Sequence, residues 1–196
     1  ENPDFITGNQ IARVGVIENP KATSGSLLSA DKASAVNALR LSGTGYSSAT
    51  FTADAEFTQT ISAGSTAVGR VVNYDQVTGV LKFWQDRTMS GFNTVGTAQT
   101  NPTYGFNLNE FTATPTSTGS LTITPSSGSN LAIDTSFTGV STVINSRTYY
   151  LGQEFTSGVA SPEVQKYSGN VVYVDNRPSI TRSTNQKEDI KVILQF

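Results

Sequence analysis

Neither cysteine nor histidine occurs anywhere in the 196 residues. The first absence removes disulfide staples, thiolate zinc sites and cysteine nucleophiles together. The second removes the commonest general base and the commonest metal ligand. Charge is scarce too: 14% of residues are Asp, Glu, Lys or Arg, and the formal net charge is -2. No basic patch stands out, so nucleic-acid binding has little electrostatic support. No apolar run reaches the length of a membrane-spanning helix. The first residues, Glu1-Asn2-Pro3-Asp4-Phe5, do not read as a signal peptide and there is no initiator Met, so a processed product or a piece of something longer is expected. The single Asn-x-Thr match, Asn101-Pro102-Thr103, is disqualified as a glycosylation acceptor by its proline.

What is present is Ser, Thr, Asn, Gln and Gly around 36% hydrophobic residues. That balance fits β-structure with many loops, and is not the charge-rich composition of a disordered tail. Gln10–Ile17 alternates, with Ala12, Val14 and Val16 on one side, and predicts a strand that ends at Glu18-Asn19-Pro20. Ser29–Leu41 is rich in Ala, offers Ser29 or Asp31 as a cap and Arg40 near its end, and predicts one helix, stopped by Ser42-Gly43-Thr44-Gly45. Ala67–Asp86 predicts a hairpin turning at Asp75–Gly79. Leu121–Thr124 and Val140–Ile144 predict further short strands between polar loops. Asn170–Val174 is a continuous apolar run, the pattern of a strand buried on both faces. Asp175–Pro178 then predicts a turn or crossover, and Asp189–Phe196 alternates as a last strand with Phe196 in the core.

The expected fold is therefore mainly β. Residues 1–47 and 156–196 would form one split sheet domain carrying the helix. Residues 48–155, rich in Ser, Thr and Gly with short β-type runs, would form an inserted β-sandwich or small β-barrel.

The stretch Ser168–Phe196 carries a family resemblance. It is similar to the C-terminal end of the gene 8 type baseplate wedge protein of contractile-tailed phages of the T-even kind. The matching positions are Ser168, Gly169, Tyr173, Asp175, Asn176, Arg177, Pro178, Ile180, Gln186, Glu188, Ile190 and Phe196. Ala12–Pro20 is similar to a strand-then-Asn-Pro segment of the same family. The Ser/Thr/Gly-rich middle has no counterpart there, and neither does the family's N-terminal part here. The resemblance implies the C-terminal portion of a divergent member. It further implies a homo-oligomer, a dimer, that contacts other baseplate wedge proteins in the virion and is assembled in the host cytoplasm as a late protein.

Within that stretch, Pro178 fixes its own φ and restricts Arg177. Arg177 has five fixed donors that could clamp a carboxylate or carbonyls of a neighbour, so Asn176, Arg177 and Pro178 are a candidate interface; they are equally read as a turn with a solvated arginine. Tyr74, Phe83 and Trp84 could form a glycan platform, or the small core of the middle segment. Asp54 and Glu56 would share a strand face if the segment is extended and could then hold a cation, though such pairs are usually solvated. With no histidine, glycoside hydrolysis by two of Asp54, Glu56, Asp75, Glu110 and Asp134 is the best remaining enzyme chemistry. No recognisable constellation supports it. A non-enzymatic structural subunit of a phage baseplate wedge is expected, with no catalytic residue, metal or cofactor. The alternative is a carbohydrate- or receptor-binding β-module of a tail fibre or adhesin.

Overall fold

The computed structural model describes residues 12–85 and 109–177. The chain divides into two compact units, one of residues 1–20 with 168–196, the other of residues 21–167. The expected last strand Asp189–Phe196, with Phe196 itself, and Pro178 lie outside the described residues.

In the smaller unit, strand β1 (Ala12–Glu18) pairs antiparallel with a strand near the other end of the chain, β11 (Asn170–Arg177). Two strands near opposite ends of the sequence thus share one ladder. The register slips between Val16 and Ile17, which face Tyr173 and Val171, so Val172 is an extra residue on β11. The turn or crossover predicted at Asp175–Pro178 is corrected up to Arg177: Asn176 and Arg177 continue the ladder opposite Arg13 and Ala12.

The larger unit is a nearly closed, barrel-like sheet. Its strands are β2 (Asn37–Ser42), β3 (Glu56–Ser62), β4 (Ser65–Asp75), β5 (Val80–Trp84), β6 (Thr122–Ile123) and β7 (Leu131–Ile133), ordered β3-β4-β5-β2-β7-β6. The hairpin β4–β5 is the one legible in the sequence. Asp75 makes its turn, accepting hydrogen bonds from the Val77 N–H at 2.9 Å and the Thr78 hydroxyl at 2.6 Å.

The predicted helix at Ser29–Leu41 does not form. Ala30–Lys32 make one short 3-10 turn, and Asn37–Ser42 become the central strand β2. The reason is tertiary. Leu39 and Leu41 point into the barrel, while Ala38 packs on the opposite face, so a period of two satisfies both sides. Packing of that kind overrides the helix preference of an Ala-rich segment.

Barrel closure falls to a side chain. Between β3 and β6 the ladder is incomplete, and Gln59, 1% exposed, fills the seam. Its amide Nε2 donates to Thr112 O (2.8 Å) and Ser120 O (3.0 Å), and its Oε1 accepts from Thr112 N (2.9 Å). Backbone bonds from Ser120 N to Thr60 O and from Thr116 N to Ile61 O extend the seam. Inside, Phe57, Phe83 and Phe111 pack as a ring triad with centroids 4.7–5.2 Å apart.

Of the remaining strands, two form a separate hairpin sheet and the third is the short seventh strand of the barrel sheet. A hairpin of β8 (Gly139–Ile144) and β9 (Arg147–Phe155) turns on Asn145 and Ser146, both at positive φ. Strand β10 (Val159–Ala160) then pairs with β2. Leu151, Phe155 and Ala160 cover Ala38 and Val80, giving a second small core. Among the described residues, no helix is long and apolar enough to cross a membrane.

Candidate interaction surface

The ribbon β1–β11 departs most from what its sequence predicts. Asn170–Val174 forms a strand, but not a buried one. Val171, Val172, Tyr173 and Val174 are 65%, 62%, 54% and 61% exposed, and across the ladder Val16 and Ile17 are 51% and 52% exposed. Neighbouring residues on a strand point to opposite faces. Four exposed apolar residues in succession therefore leave both faces of β11 apolar and, among the described residues, open. Scattered exposed hydrophobics are ordinary on a protein surface; a contiguous two-faced cluster is not.

Asn176 and Arg177 close the described part of β11 in the smaller unit. The candidate residues of the larger unit are not assembled into one site. Phe83 is 2% exposed and belongs to the barrel core, so it offers no face to a ligand. Trp84 is its neighbour on β5, hence on the other side of the sheet, and is 36% exposed. Tyr74 is half-buried, packs against Phe51 at 4.8 Å and donates its hydroxyl to Tyr46 O at 2.7 Å. Burial pushes its phenol up to about 12, since the phenolate would lose its water there, with Arg40 acting in the opposite sense. Tyr74 thus packs at the margin of the core, Phe83 within it and Trp84 on the outer face, not together on one platform.

The carboxylates are equally dispersed. Glu56 and Asp54 both pair with Arg70, at 2.9 and 3.6 Å. Asp134 accepts from the backbone N–H and hydroxyl of Ser136. With Asp75 committed to its turn, these acids serve local structure. Among the described residues, no group of three or more Asp or Glu is placed to hold a metal ion.

Sequence reasoning missed β3, β7, β9 and β10, of which β9 is the longest. The Asn145-Ser146 pair between two β-type runs was the available signal, since such residues tolerate the left-handed turn of a tight hairpin. Compared with known protein families, with curated proteins and with solved structures, the chain finds no match.

Proposed function

We propose that this chain is a non-enzymatic structural subunit of a larger assembly, and that it docks through the β1–β11 ribbon onto a second copy of itself. The observation that carries the proposal is the two-faced apolar exposure of Val171–Val174. A sheet of two strands is marginal in water and gains from added strands or a packed face. The edge of an antiparallel ribbon presents the same donor and acceptor pattern to a copy turned by a two-fold axis, so a closed dimer needs no second kind of surface.

The magnitude is adequate. Covering the remaining half of each of six apolar side chains contributes about 1 kcal/mol apiece, on the order of 10 kcal/mol over two copies. That exceeds the lower range of the entropic cost of association, so micromolar pairing is expected.

The setting comes from the sequence resemblance: a contractile-tail baseplate wedge, with other wedge proteins as further neighbours. The dispersal of the carboxylates and the lack of histidine and cysteine support a structural role over hydrolysis. Sedimentation of the full chain tests the pairing. A mass of two copies at about 100 μM is expected, reduced to one copy by Val172→Asp. A single-copy mass for the unsubstituted chain at that concentration contradicts it. The second reading, a glycan-binding module, is favoured by a separate cleft on the larger unit.

A further inference from the structure

That cleft lies where β9 crosses the outer face of β4 and β5. It has a volume of about 260 Å³, and its lining includes Asn73, Lys82, Tyr149, Tyr150 and Leu151. Asn73 and Lys82 stand directly opposite each other in the β4–β5 ladder.

Both bordering strands are irregular here. The β4 register slips between Val71 and Asn73, so Val72 bulges and the following side chains are re-aimed. Across the cleft, β9 is kinked at Gly152, whose φ is +73, and the β8–β9 register slips between Gly139 and Ser141. A methyl group at Gly152 would stand 3.7 Å from Lys82 Nζ, so the kink brings the hairpin down beside the ammonium group.

The polar groups of the cleft are available. Among the described residues, the Lys82 ammonium and the Asn73 amide have no hydrogen-bond or ion-pair partner. Asp75, at the cleft's edge, is already occupied by its turn. A free cation, a free amide that both donates and accepts, and tyrosine rings around a volume the size of one sugar ring suit a defined chemistry. The ammonium pairs a carboxylate, the amide serves ring hydroxyls, and a tyrosine face takes the C–H side of the ring.

We propose that this cleft binds a carboxylate-bearing sugar residue, with Lys82 on the carboxylate, Asn73 on the hydroxyls and a Tyr149 or Tyr150 ring against the pyranose. An acidic peptide would engage Lys82 alone and leave the amide and rings idle. The inference is independent of the ribbon, because its test reads a different surface.

Backbone amide NMR of the full chain, titrated with methyl glucuronide and with methyl glucoside, tests it. Shifts centred on Lys82, Tyr149 and Tyr150 are expected in the millimolar range, with the neutral sugar at least about tenfold weaker. Lys82→Met should bring the two sugars to equal, weak binding. Tyr150 is 72% exposed, so Tyr150→Ala should keep the fold and weaken both sugars. No shift at these amides up to about 50 mM sugar overturns the proposal. So does glutamate reproducing the glucuronide shifts, or undiminished glucuronide binding by folded Lys82→Met.

Discussion

Replacing Gln59 with leucine should open the barrel at its seam. The side chain is almost fully buried, and the two residues are similar in volume, so the change is electrostatic, not steric. Three hydrogen bonds are lost: two donated by Nε2 and one accepted by Oε1. Thr112 N, Thr112 O and Ser120 O are left without that partner. A buried polar group stripped of its partner costs about 1–3 kcal/mol, and leucine recovers about 1–2 kcal/mol by burying more apolar surface. Some water will reach a seam between strands, so the net loss should be about 2–4 kcal/mol. In a chain of this size that lowers Tm by roughly 5–15 °C, measurable by calorimetry. Thr58→Val on the exposed side of the same strand is the control and should stay within about 0.5 kcal/mol.

Glutamate at the same position sharpens the test. A carboxylate can accept from Thr112 N but cannot donate to the two carbonyl oxygens, so burial and those oxygens raise its pKa in the fold. The sign follows: Gln59→Glu should be most stable at low pH, where the acid is protonated, and should lose stability as pH rises past the ordinary glutamate value of about 4.3. If Gln59→Leu melts within about 1 °C of the parent, or Gln59→Glu is no more stable at pH 4 than at pH 7, the seam is not held by this side chain.

Gly79 sits at φ +67, and a Cβ there would meet Leu41 O at 2.6 Å and the Arg40 guanidinium, so Gly79→Ala should cost about 2–4 kcal/mol in denaturant titration. Tyr74 has a folded pKa of about 12 against 10.0 when unfolded. Its contribution is intact below pH 10 and is lost as pH rises through about 12, so alkaline unfolding monitored by far-UV circular dichroism should be less steep in Tyr74→Phe. Tyr74→Phe also loses the bond to Tyr46 O, worth about 1 kcal/mol at neutral pH. Chromogenic glycosides and esters should show no product release above background. Release that disappears in Glu56→Gln or Asp75→Asn would contradict the structural role.

Much of the β-architecture is legible in the residues. The β4–β5 hairpin is announced by Asp75 and Gly79 between alternating runs, and β6 and β8 by short apolar stretches between polar loops. Strand β2 was hidden because Ala-rich composition suggests a helix, while the alternation of Ala38, Leu39, Arg40 and Leu41 gains meaning only once both faces have something to pack against. Asn170–Val174 shows a deeper ambiguity. A continuous apolar strand looks the same whether it is covered on both sides or open on both sides, since periodicity carries no information about neighbours. Gln59 follows the inward phase of Phe57 on β3, but nothing in the sequence says that its amide would replace a missing stretch of ladder.

The account rests most heavily on the ribbon as a docking edge. Backbone hydrogen exchange of the full chain, followed from dilute to concentrated solution, tests this most directly, because it reports which amides become protected when copies meet. Protection should rise with concentration at β1 and at Val171–Val174, while the amides of β2, β4 and β5 stay unchanged. Ribbon amides that exchange at the same rate at every concentration, or protection that grows on the barrel strands instead, would contradict it.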